Sequence, residues 1–156
     1  ARRARRIRRQ GVGVNVGVKL NELRDHPIRV NQITIKNPKL VIEMQGKEVY
    51  RQAVLLCVRS ITETCERAGV TPADIGLFVA HQANVRIIDA VMERLGMPRE
   101  RAAIVLDRTG NTSAASVPLA LADAADAGRV ADGDLVMLCG FGAGMTWATQ
   151  IWRWGR

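Results

Sequence analysis

The feature that most restricts the fold is a short run with no polar face, Ile75-Gly76-Leu77-Phe78-Val79-Ala80. Six residues are too few for a membrane span. A strand that is apolar on both faces needs cover on both. A second such run, Leu135-Val136-Met137-Leu138-Cys139, occurs further along. Between them, from about Asn84, the residues Val85, Ile88, Met92 and Leu95 fall on one helical face, with Gly96 and Pro98 supplying the stop. Upstream, Val54, Cys57, Val58, Ile61, Cys65 and Ala68 form one stripe of a helix that Gly69 can end before Thr71-Pro72 breaks the chain.

Further along, Ala103-Ile104-Val105-Leu106 reads as a short strand. A polar turn over residues 107–113 then opens a helix from Ala114 to Ala127, and Pro118 must lie in its first turn or bend it. The chain closes with the strand Leu135 to Cys139, a glycine turn from Gly140 to Gly144, and a strand from Met145 to Trp152. The order helix, strand, helix, strand, helix, strand, strand predicts an α/β domain whose mixed sheet is covered by helices on both faces.

Composition bounds the function. With 156 residues, 47% of them hydrophobic, the chain can bury a single core, which excludes a disordered polyelectrolyte. Residues 1–36 are read as a separate basic region and residues 37–156 as the folded unit, because arginines, alternating Gly and Val and then polar residues give no helical period. Without the six arginines of the first nine positions, the formal net charge of +8 falls to +2. Such a tail can neutralise phosphates, but 4% aromatic residues provide no stacking platform, so nucleic acid is not the expected partner. No run approaches eighteen apolar residues and no secretory signal is recognisable, so we expect no membrane association. Three cysteines without a CxxC pair and only two histidines give neither a disulfide framework nor a zinc site. A reducing cytoplasm and no metal are therefore expected.

Three loops sit where open α/β sheets place ligands, at His81, at Asn111 and at Gly142 to Gly144. An imidazole, an uncharged carboxamide and backbone N–H groups unobstructed by side chains are the parts of an oxyanion-stabilising site. Singly, each has a plainer reading. His81 could be a hydrogen-bonded structural residue, Asn111 a turn residue suited to left-handed backbone, and Gly142-Ala143-Gly144 a sharp reversal between strands.

Three segments change the balance: His81-Gln82-Ala83-Asn84-Val85-Arg86-Ile87-Ile88, Leu106 through Pro118 with Thr109-Gly110-Asn111-Thr112-Ser113 at its centre, and Gly140-Phe141-Gly142-Ala143-Gly144-Met145-Thr146-Trp147. In this order they resemble the carboxy-terminal half of ketoacyl-acyl-carrier-protein synthase III. The approach Met44 to Tyr50 is also similar, so the resemblance covers about Asn37 to Trp154. It implies half of a thiolase-like fold and a decarboxylative condensation. In that reaction a cysteine takes an acyl group from acyl-coenzyme A, and malonyl-acyl carrier protein is then condensed onto it, in fatty-acid or polyketide biosynthesis. No cofactor beyond these substrates is implied.

By that resemblance His81 and Asn111 match the family's catalytic pair. Ala143, beside Gly142, occupies the turn position whose backbone N–H helps form an oxyanion hole; the family usually has Gly there. Arg86 matches a contact to the acyl carrier protein, and Arg94, eight residues on, shares roughly its face. Phe141 and Trp147 are read first as core packing, with the walls of an acyl channel as the alternative. The departure is the nucleophile: Cys57 and Cys65 fall on a helix stripe and Cys139 inside a strand, so no cysteine of this chain is the expected one. The expected partners are an N-terminal half of the same fold, which would carry that cysteine, the acyl carrier protein, and a second copy in a homodimer. The isolated half would then be inactive. The competing reading is a non-catalytic module that binds a carrier protein or subunit and retains these residues by descent.

Overall fold

The computed structural model describes residues 32–36, 39–43, 45–142 and 145–155; the arginine tail and the Val12 to Val18 alternation lie outside them. Strands β1 (Gln32–Lys36) and β2 (Lys39–Glu43) pair antiparallel, Gln32 opposite Glu43. Helix α1 spans Gly46–Ala68 and stops where the sequence expects. Gly69 takes φ 67°, a left-handed conformation that costs little without a Cβ, and the Gly69 and Val70 N–H groups close onto the Glu66 and Cys65 carbonyls.

The stripe of α1 is less purely apolar than its spacing suggests. Val54, Cys57, Ile61 and Cys65 are buried, as are Ala53, Ser60 and Thr64, whereas Val58 and Ala68 are only partly covered. Burial of the two hydroxyls is compensated by hydrogen bonds. Thr64 Oγ1 donates to the Ser60 carbonyl at 2.6 Å, and Ser60 Oγ pairs with Thr149 Oγ1 at 2.8 Å.

Strands β3 (Ile75–Ala80), β4 (Leu135–Gly142) and β5 (Thr146–Arg153) form a sheet in that order, β3 parallel to β4 and β4 antiparallel to β5. Period-two alternation divides its core. Phe78, Ala80, Met137, Cys139 and Ile151 pack with α1 and with α2 (Val85–Arg94), while Leu77, Val79 and Val136 pack against Ala120 and Ala124 on the opposite face. Ile75 joins the first group because the ladder is irregular between Ile75 and Leu77. The sheet is mixed and covered on both faces, which explains why β3 and the core of β4 carry no polar side.

Three details depart from the sequence reading. Ala103 to Leu106 is not a strand: it is tied to β3 through a Phe78–Ala102 bridge and the Ala103 N–H donating to the Phe78 carbonyl, and Leu106–Thr109 coils into a single turn, α3. The buried Gln82 side chain takes the place of a ladder, donating to the Ala80 and Ala103 carbonyls and accepting from the Val105 N–H. The following helix, α4, spans Ser116–Asp126 after a 3₁₀ turn over Ser113–Ala115, with Pro118 in its first turn. Finally, β4 continues through Gly140 and Gly142, which pair with Ala148 and Thr146, so the reversal is shorter than the glycine run.

Candidate active site

His81 is placed by the sheet. Its backbone N–H donates to the Cys139 carbonyl at 2.8 Å, extending the β3–β4 ladder by one residue before Asn84 caps α2 through a bond from the Arg86 N–H. The half-buried ring meets Phe141 edge-on, centroids 5.3 Å apart, and its Nδ1 lies 2.6 Å from Ser116 Oγ at the start of α4. Burial pushes the imidazole pKa below the ordinary 6.5, so the ring is neutral at pH 7. Among the described residues Nε2 has no partner.

Asn111 lies in the loop between α3 and α4. The loop depends on Gly110, whose φ of 65° and ψ of −164° fall in a region essentially reserved for glycine. It then turns through Ser113 at φ 53°, the only non-glycine residue with positive φ among those described. The turn is held by the Ser113 N–H donating to Asn111 Oδ1 at 3.0 Å, which leaves the Nδ2 donors of Asn111 without a partner among the described residues.

These groups share one open cavity of about 640 Å³, lined among others by His81, Asn111, Phe141, Gly140, Gly142 and Trp147. At Gly140 and Gly142 its wall is backbone with no side chain in the way. The structure thus brings together His81 from just after β3, Asn111 from the loop before α4 and Gly142 from the end of β4; Ala143 and Gly144 lie outside the described residues. Phe141 belongs both to the margin of the core and to the cavity wall, and Trp147, its cross-strand partner, also lines the cavity. Two uncharged polar side chains, His81 and Asn111, therefore line one space large enough for a thioester group.

No cysteine lines that cavity. Cys57, Cys65 and Cys139 are all buried. The adjacent Cys139 sulfur, and then burial, hold the Cys57 thiol well above its ordinary pKa, and burial followed by the charge of Asp74 raises Cys65. Arg86 and Arg94 are exposed on α2, and Arg86 has no ion-pair partner among the described residues. Among those residues no three His, Cys, Asp or Glu side chains are grouped to hold a metal ion, and no helix is long and apolar enough to cross a membrane.

Two residues of this region escaped the sequence reading. Gln82 joins the His81 loop to the segment leading to Asn111, and Ser116 holds the imidazole from 35 positions away. Nothing in their local spacing marks either one.

Residues 65–154 match the family described as 3-oxoacyl-[acyl-carrier-protein (ACP)] synthase III C terminal. The chain belongs to this family. It is 50% identical over 115 residues to the beta-ketoacyl-[acyl-carrier-protein] synthase III of Symbiobacterium thermophilum, an alignment covering 74% of this chain and 35% of that protein. The crystal structure of the synthase III of Thermus thermophilus superposes with a TM-score of 0.72 at 54% identity, over 77% of this chain and 37% of that one. The priming beta-ketosynthase from the R1128 polyketide biosynthetic pathway superposes at 0.75 with 35% identity, over 92% and 44%. The chain therefore spans less than half the length of each of these synthases. Their shared fold is thiolase-like, and the mixed, doubly covered sheet of this chain is one part of it.

Proposed function

We propose that this chain is the part of a synthase III-like condensing enzyme that stabilises the enolate formed when malonyl-acyl carrier protein loses carbon dioxide. The observation that carries the reading is the convergence of His81 and Asn111, each with an unpartnered donor atom, on one cavity beside the glycine-walled end of β4. As the carbon–carboxylate bond breaks, its electron pair moves through the new carbon–carbon double bond onto the thioester oxygen. His81 Nε2–H and Asn111 Nδ2–H donate to that oxygen without giving up a proton. A preorganised donor of this kind is typically worth about 3 kcal/mol of barrier.

The enolate carbon then attacks a cysteine-bound acyl thioester, itself formed from acyl-coenzyme A. The new carbon–carbon bond forms first, moving the carbonyl electron pair onto oxygen; backbone N–H groups, that of Ala143 among them, receive this oxyanion, and as it re-forms the carbonyl the carbon–sulfur bond breaks and the thiolate leaves. The sulfur belongs to an amino-terminal half of the same fold. Support for that half comes from α4, which leaves Pro118, Leu119 and Ala122 exposed, Leu119 by 43%. The reaction calls on no cofactor beyond its two acyl substrates, and the fatty-acid and polyketide settings share it.

Arg86 is assigned to the acyl carrier protein. It stands in the first turn of α2, where the helix dipole disfavours a cation, with no carboxylate in that turn to balance it. An acidic carrier surface would supply the missing counter-charge. The whole enzyme is expected to act as a cytoplasmic homodimer. The test is to coexpress this chain with a matching amino-terminal half and measure release of carbon dioxide from malonyl-acyl carrier protein. His81→Ala with Asn111→Ala should abolish release; condensation that survives both changes would refute the assignment. Covalent acylation of the purified chain alone would refute the claim that its nucleophile comes from elsewhere.

A further inference from the structure

Ser116 is wholly buried at the first position of α4. Its oxygen accepts a hydrogen bond from the Gln82 backbone N–H at 3.2 Å and stands 2.6 Å from His81 Nδ1. No third partner of this hydroxyl occurs among the described residues. A hydroxyl has one proton to give and two lone pairs to receive, and the Gln82 amide can use only a lone pair. The single acceptor left for the hydroxyl proton is Nδ1.

We infer that Ser116 is a positioning residue that donates its hydroxyl proton to His81 Nδ1 and thereby holds the imidazole as the Nε2–H tautomer. In the opposite tautomer Nδ1–H would be a second donor aimed at the same oxygen, and the Ser116 proton would be stranded in a buried site without an acceptor. The anchoring amide belongs to the residue next to His81, so hydroxyl and ring are fixed to the same turn of backbone. A neutral hydroxyl at Nδ1 also differs in effect from a carboxylate, which would favour the imidazolium. Here the ring is arranged to donate from Nε2 while remaining uncharged. This deepens the role proposed for His81 and rests on it only for its catalytic consequence; the tautomer is a property of the folded chain itself.

The experiment is nitrogen NMR of the chain labelled at histidine, with His26→Gln separating the two imidazoles. The unaltered chain should show a pyridine-like Nδ1 and a pyrrole-like Nε2 at His81 in one population, with a slowly exchanging Ser116 hydroxyl proton correlated to the ring. Ser116→Ala should give a mixed or inverted population. A pyrrole-like Nδ1 in the unaltered chain overturns the inference even if Ser116→Ala does not fold, and an unchanged single tautomer in a folded Ser116→Ala overturns it as well. Decarboxylation by the assembled enzyme carrying His81→Ala separates the two claims: retained activity removes the catalytic role and leaves the tautomer standing, whereas a protonated Nδ1 with activity lost on His81→Ala removes Ser116 and leaves His81.

Discussion

In the role proposed for them, His81 and Asn111 would differ from common catalytic groups in needing no change of protonation to act, and that makes their predicted substitutions informative. Asn111→Asp keeps the size of the side chain but replaces a donor by a negative charge facing a developing negative charge, so decarboxylation by the assembled enzyme should fall by at least about 10²-fold, measured as carbon dioxide release. For His81 the folded pKa lies below 6.5, so between the two values the unfolded chain holds a proton that the folded chain lacks. Its contribution to stability is therefore complete above about pH 6.5, falls as the pH drops through that window, and levels once the folded pKa has been passed. Over about pH 7.5 to about pH 5, the urea unfolding midpoint of the unaltered chain should fall relative to that of His81→Gln as the pH drops. At this scale the sequence shows which residue types are present but not their partners. Ser116, in a run of small residues, gives no local sign that it reaches the histidine ring.

Elements were legible where periodicity and punctuation agreed. For α2 the apolar face, the Asn84 cap and Gly96 all point to the same helix, and for β3 an unbroken apolar run between turn signals leaves little else. Ala103 to Leu106 shows where that reasoning stops. Its branched, apolar residues suit a strand, yet the hydrogen bonds that would make a ladder go to the side chain of Gln82, a residue that spacing alone places on a loop. Gln82→Ala leaves the Val105 N–H and the Ala103 carbonyl without this partner in a buried site, and should lower stability by about 2–4 kcal/mol in chemical denaturation. The Asn111 loop has a similar dependence on Gly110. A Cβ there meets open space, so the cost of Gly110→Ala is conformational, about 1–3 kcal/mol, with the loop displaced from the cavity.

At the scale of the whole molecule, the exposed apolar face of α4 leads to a further expectation. If a second half of the fold packs there, Leu119→Asp should weaken its association by at least about tenfold in sedimentation experiments while leaving the helix content of this chain unchanged, because Leu119 packs little within it. The amino-acid sequence alone pointed to a doubly covered mixed sheet, since unbroken apolar runs, a 3.6-residue helical period and the order of the elements are local features that survive in a linear string. It also named His81, Asn111 and the glycine reversal as candidates, through residue chemistry and the resemblance of three segments. Only the tertiary structure decided that these loops meet, that Gln82 replaces a strand ladder, and that a serine on α4 faces the imidazole. Hydrogen-bond partnership depends on distances between residues remote in the chain, and those distances exist only once the sheet and its helices have packed.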